Sequence, residues 1–172
     1  MEFWDLYDID RHATGEVQQR GVRVPEGRYH LVVHVVIFST RGEMLIQQRQ
    51  PFKEGWPNLW DVTVGGSAIA GDTSRTAAQR EVLEEIGLRI DLTNELPRLT
   101  LPFGSGFDDI YTLVMDVDLS ALTLQESEVQ AVRWAGEAEI LDMLEDGRFI
   151  PYHASLISLL FALRNGRGAH AR

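Results

Sequence analysis

The chain has 172 residues, with 16 basic against 26 acidic side chains for a formal charge of −10, and it contains no cysteine. That length suits one domain able to bury its own core, and 44% hydrophobic with 24% charged residues is a globular rather than a disordered composition. The acid surplus argues against nucleic acid and anionic membrane as partners, and the missing cysteine removes disulfides, zinc knuckles and a thiol nucleophile. Fifteen of the 16 bases are arginine, and Lys53 is the single lysine.

The acidic opening, Met1 to Asp10, is unlike a signal peptide. The longest apolar run, Leu31 to Phe38, is broken by His34 and too short to cross a bilayer, so a cytoplasmic setting is expected. Phe3 to Asp8 reads as a short aromatic strand, returned as a hairpin by a turn around Ala13-Thr14-Gly15. Tyr29 to Phe38 is β-branched and nearly continuous, as in a strand buried on both faces. A turn at Thr40 to Glu43 leads to a strand from Met44 to Arg49, a loop with two prolines from Gln50 to Leu59, and a strand from Trp60 to Val64. Thr73 to Ile86 predicts a helix, with Ala77, Ala78, Val82 and Ile86 at helical spacing, Asp72 or Thr73 as its cap and Gly87 as its stop. Gly104-Ser105-Gly106 reads as a flexible loop between Phe103 and Phe107. Strands follow at Ile110 to Val117 and Val129 to Trp134, then helices at Glu137 to Glu145 and His153 to Arg164, with a frayed tail over 165–172. This order predicts an α/β protein, a mixed sheet covered by helices on both sides.

The chemistry concentrates on the first helix. Glu81, Glu84 and Glu85 lie three and four positions apart, so they project from one face. Two carboxylates about 4 Å apart repel by roughly 4 kcal/mol at an effective dielectric of 20. Three together need protonation, solvation or a cation, and an all-oxygen set suits Mg²⁺ or Mn²⁺ rather than zinc. Taken alone, the run reads first as a solvated face with Arg80 paired to Glu84.

The wider spacing decides between these. Gly66, Asp72, Arg80-Glu81-Val82, Glu84-Glu85 and Gly87-Leu88, spread over residues 66–88, resemble the Nudix box. The resemblance implies a Nudix-type α/β/α sandwich with a mixed β-sheet, one domain over 1–172. It implies Mg²⁺ (or Mn²⁺) on Glu81, Glu84, Glu85 and the Gly65 carbonyl, with Arg80 orienting the glutamates. A further acid often comes from a later loop, and Glu128 is the candidate. Asp72 departs from the family's usual glutamate, which keeps a non-catalytic, ligand-binding Nudix-fold protein as an alternative.

Beyond the box, His30-Leu31, Arg49, Lys53 and Trp60 resemble the branch related to isopentenyl-diphosphate isomerase. The resemblance implies that Arg49 and Lys53 hold a diphosphate, and a histidine matching His30 is a metal ligand in the isomerase. That enzyme has cysteine where this chain has Gly65 and histidine where it has Ser67, so a prenyl-diphosphate isomerase-like activity is the less favoured alternative. The reading is a Mg²⁺-dependent hydrolase of a diphosphate linkage in a small molecule such as a nucleoside diphosphate derivative, with Glu81 or Glu128 as the base and a homodimer as the family's frequent state. Gly66 to Gly71 has the outline of a P-loop, but Asp72 stands at the required lysine.

Overall fold

In the computed structural model, which describes residues 1–166 and 168–170, these segments become nine strands and three α-helices. Of the expected frayed tail, Arg167, Ala171 and Arg172 lie outside the described residues. β1 (Phe3–Tyr7) and β2 (Ala13–Gln19) form an antiparallel hairpin. Its turn is not at Ala13 to Gly15 but at residues 8–12, where Asp8 Oδ1 accepts the backbone N–H groups of Asp10 and His12. The Gly15 signal belongs instead to a register shift within the hairpin: Asp5 faces Val17 while Tyr7 faces Ala13, and Gly15 sits at φ 79°.

The seven-stranded sheet is two wings that part from a common hinge. β3 (His30–Phe38) and β4 (Met44–Arg49) pair only at Phe38 and Met44. β3 then pairs with β6 (Val64–Ser67) on one side and, in parallel, with β8 (Gly106–Val114) on the other. β4 pairs with β5 (Trp60–Asp61) and β9 (Val129–Ala135). The single strand expected from Trp60 to Val64 is thus two, because the chain changes neighbour there. Thr63 bridges the gap: its hydroxyl donates to the Leu45 carbonyl and accepts from Ile37 N–H.

β7 (Leu99–Phe103) was not legible as a strand, and residues 104–105 form its tight turn into β8 rather than a free loop. β8 itself begins four residues before the expected Ile110 and stops at Val114. α1 (Ser74–Ile86) covers one face of the sheet, burying Ala77, Ala78, Val82 and Ile86 completely. Burying side chains of the size of Val82 and Ile86 contributes roughly 1.5–3 kcal/mol each. α2 (Glu137–Glu145) and α3 (Ala154–Leu163) cover the other face through Ile140, Met143, Ile157, Leu160 and Phe161. The result is an α/β/α sandwich with a mixed sheet.

Thr73 is the cap of α1, exchanging bonds with Thr76, and Gly87 ends the helix at φ 70°. Together these fix where the helix starts and stops, and therefore where its glutamates point. No helix among the described residues is long and apolar enough to cross a membrane.

Candidate active site

Arg80 organises the site. Its Nε and Nη2 donate to Asp72 Oδ2 (3.1 and 2.9 Å), its Nη1 to Glu81 (2.9 Å) and Glu84 (3.1 Å), and its Nη2 also to the Ser67 carbonyl (3.1 Å). One guanidinium therefore ties the end of β6, the loop after it and the helix together. Asp72, although shorter than the family's glutamate, reaches Arg80, the Thr76 hydroxyl and the Ile69 N–H.

The three glutamates differ in setting. Glu84 is half exposed and Glu81 is mostly buried. Burial raises the Glu81 pKa above the usual carboxylate range while Arg80 opposes it. Glu85 is 6% exposed and accepts 2.9 Å from the Gln47 amide at the point where the wings part. Burial, with the nearby carboxylates of Glu81, Glu128 and Asp61 adding to it, pushes Glu85 up to about 8 against the pull of Gln47.

The glycines at the start of the box have a steric reason. A Cβ on Gly66 would lie 2.2 Å from the Glu81 carboxyl carbon, and one on Gly65 would lie 2.6 Å from the His34 ring. A Gly66→Ala variant should fold but displace Glu81. The expected outcome is at least a tenfold loss of kcat with a near-normal melting temperature; unchanged kinetics would show that Glu81 need not lie on this backbone.

Glu128 is brought toward the end of α1 by the segment between β8 and β9. The N–H groups of Thr123 and Gln125 donate to the Ile86 and Glu85 carbonyls, and the Gln50 N–H donates to the Glu128 carbonyl. Its carboxylate is paired with Lys53 at 2.5 Å. Lys53, Arg49 and Arg20 line one cleft of about 460 Å³ with Phe52, Ser127 and Glu128. Arg20 also acts on the charge of Glu81 and is tied to Glu2 at 2.6 Å. Of the Arg49 guanidinium only Nε donates, to the Gly55 carbonyl, among the described residues. A larger cavity, about 740 Å³, opens between residues 21–30 and the 104–105 turn, with no box residue in its lining.

The structure brings Arg80 to Glu81 and Glu84, sets Glu85 against Gln47, and pairs Lys53 with Glu128, while Arg20 acts on Glu81. Gln47 carried a faint signal, a polar residue following Met44, Leu45 and Ile46. Arg20 carried none. His30 is a packed ring, stacked on Trp4 at 4.1 Å and met edge-on by Phe103, and burial lowers its pKa.

The donor set fits a hard divalent cation. Every candidate donor is oxygen, Glu85 is a buried acid whose ionisation needs a positive neighbour, and Gln47 Oε1 beside it is buried without a partner. Among the described residues the group of three acid or imidazole donors within 4.8 Å of one another is Asp8, Asp10 and His12, on the exposed turn already accounted for by Asp8, and the donor oxygens of Glu81, Glu84 and Glu85 do not all come that close together.

The NUDIX domain model matches residues 28–156, and the chain belongs to the Nudix hydrolase family. It is 46% identical over 170 residues to the Uncharacterized Nudix hydrolase lin0387 of Listeria innocua, covering 99% of both chains. It is 25% identical to isopentenyl-diphosphate Delta-isomerase of Escherichia coli, over 74% of this chain and 73% of that one. Among solved structures, DR0079 of Deinococcus radiodurans superposes with a TM-score of 0.75 at 24% identity, covering 92% of this chain and 98% of that chain.

Proposed function

We propose that this enzyme hydrolyses a diphosphate linkage in a nucleoside diphosphate derivative or related small phosphorylated metabolite, with Mg²⁺ as its cofactor and Mn²⁺ able to replace it. The observation that carries this reading is a cleft lined by Arg20, Arg49, Lys53 and Glu128 whose charges reach the α1 glutamates, Arg20 acting on Glu81 and Glu128 on Glu85. Glu81, Glu84, Glu85 and the Gly65 carbonyl would hold the metal, which when bound neutralises diphosphate oxygens and acidifies a water.

The chain's own groups do the rest. Arg49 and Lys53 hold the phosphate that is not attacked, the guanidinium through paired donors and the ammonium as a compact charge. A phosphate that draws Lys53 away from Glu128 frees that carboxylate to accept a proton from the attacking water. Glu81, fixed by Arg80, is the other base in reach. Allylic isomerisation is disfavoured because the His34 ring fills the space that a side chain at position 65 would need.

The test is a panel of diphosphate compounds with Mg²⁺ or Mn²⁺, products identified so that the broken bond is known. Cleavage of none of them with either metal overturns the reading. On the compound cleaved best, Lys53→Ala should raise KM about tenfold, the worth of one charge-assisted hydrogen bond, while metal affinity stays within about twofold. An unchanged KM removes Lys53 from the phosphate site.

A further inference from the structure

The β1–β2 hairpin is fastened to the sandwich at both ends. At its tip Arg11, a non-glycine residue in the left-handed region at φ 65°, reaches Asp109 of β8 with both Nη1 (3.1 Å) and Nη2 (2.8 Å). Asp109 is 2% exposed and accepts from the Thr100 hydroxyl as well, so a buried carboxylate pins the tip. At its open end the hairpin lies on the box loop. The Ala70 N–H donates to the Phe3 carbonyl (2.7 Å), and the Gly71 N–H donates to Asp5 Oδ2 (2.7 Å). Phe3 pairs with Gln19, so Glu2 and Arg20 are the next residues out. They are joined by the Arg20 N–H to the Glu2 carbonyl (3.0 Å) and by Arg20 Nη1 to Glu2 Oε2 (2.6 Å).

This end of the hairpin meets the machinery of the site. Arg20 lines the cleft with Arg49 and Lys53, but it comes from the end of β2, whereas they come from the end of β4 and the loop after it. Its charge acts on Glu81, and that of Arg80 acts on Glu2, which places the pair beside the carboxylate that rests on Gly66. The Arg20 and Glu2 side chains are 57% and 50% exposed. An ion pair this open to water adds little stability and is readily exchanged. A phosphate offers the guanidinium paired oxygens that match its fork, so it can take the place of the carboxylate. Lys53 stands in the same relation to Glu128. Two of the cleft's cations are thus each held by an acid that an incoming phosphate can replace, and Arg20 is the one beside Glu81.

We infer that Arg20 is a further substrate-binding residue, holding the phosphoryl group that is attacked while Arg49 and Lys53 hold the other, and that Glu2 is its gate, keeping the guanidinium paired until a phosphate replaces the carboxylate. The assignment of the attacked group rests on the hydrolase reading, which puts that group at the α1 glutamates. The hairpin's two anchors, Asp109 at the tip and the box loop at the open end, keep Arg20 at this position whether or not Glu2 holds it.

The experiment titrates imidodiphosphate, whose bridging nitrogen resists hydrolysis, with Mg²⁺ into the wild-type chain and the Arg20→Gln, Arg20→Lys and Glu2→Gln variants by calorimetry. Arg20→Gln should bind about tenfold more weakly, the worth of one charge-assisted hydrogen bond. Arg20→Lys should lose less, and Glu2→Gln should bind about twofold to threefold more tightly because no carboxylate has to be displaced. Melting temperatures should stay within about 3 °C of one another, since the pair removed is exposed. On the panel compound cleaved best, Arg20→Gln should also lower kcat by about 30-fold or more, whereas Lys53→Ala acts on KM. Glu2→Gln and Arg20→Gln remove the same ion pair, so equal weakening by both would make the pair structural and overturn the inference. An Arg20→Gln affinity within about twofold of the wild type overturns it too, as does a wild-type chain that does not bind imidodiphosphate. Turnover separates the two readings. Cleavage of a panel compound with kcat and affinity indifferent to Arg20 removes Arg20 and leaves the hydrolase, while Arg20-dependent binding without cleavage of any panel compound does the reverse.

Discussion

A Glu85→Gln variant should lose at least about 100-fold in kcat and become more stable at pH 8 than the wild-type chain, both without metal. Loss of activity follows from the proposed role, since an amide oxygen carries no charge with which to hold Mg²⁺. The gain in stability follows from burial. The Glu85 carboxyl is 6% exposed, and its pKa stands at about 8 against 4.5 for an exposed glutamate. Between those two values the folded chain keeps a proton that the unfolded chain releases, so stability present below pH 4.5 is lost as pH rises toward 8. At 1.36 kcal/mol per unit the loss is on the order of 3–5 kcal/mol. Glutamine mimics the protonated acid, still accepts from Gln47, and removes the dependence. Thermal melts at pH 5 and 8 check this half: the wild-type melting temperature falls between them and the variant's does so much less. Product formation checks the other half, and near-normal turnover would refute the metal assignment while leaving the pH argument standing.

That buried acid was visible in the sequence, but its setting was not. Glu81, Glu84, Glu85 and Arg80 occupy consecutive turns of one helix, so spacing along the chain is spacing in space. Asp72 and Gly66 are joined to them by one short loop. The remaining parts come from strand pairing. Gln47 meets Glu85 across 38 residues and His34 meets Asp108 across 74, contacts that no local period encodes. Lys53 and Glu128 were each singled out alone, but their ion pair depends on the Gln50 backbone docking on Glu128. The missed strand has its own cause. Leu99–Phe103 is a sheet edge with Pro102 in it and four of its five residues exposed, so it lacks the apolar alternation that marks a half-buried strand. Partner switching at Val62-Thr63 is equally silent, since Val62, Thr63 and Val64 are all buried and β-branched.

Arg80→Met should cost about 3 kcal/mol of metal-free stability and most of the activity, and Mg²⁺ should restore more stability to the variant than it adds to the wild type. Arg80 is the only cation bonded to Asp72, Glu81 and Glu84 among the described residues, and Asp72 and Glu81 raise its own pKa against the effect of burial. Removing one partner from a largely buried charge cluster typically costs 3–5 kcal/mol, and the half-exposed Glu84 places this case at the lower end. For a chain of 172 residues that corresponds to a melting temperature lower by roughly 6–12 °C. Methionine keeps much of the aliphatic stem, so the loss reports the charge rather than the packing. The three acids then lack a bonded counter-charge, with Arg20 acting on Glu81 only from a distance, and a divalent ion binding only the folded form replaces it. Activity stays low even at saturating Mg²⁺, because Glu81 and Glu84 no longer share a donor that fixes their direction. Arg80→Lys should fall between the two, keeping the charge but not the fork that reaches Asp72 and Glu81 together. Thermal melts with and without Mg²⁺ decide the matter. A variant that melts with the wild type, or gains nothing extra from the ion, would mean that Arg80 is a surface charge and that the glutamates are organised by something else.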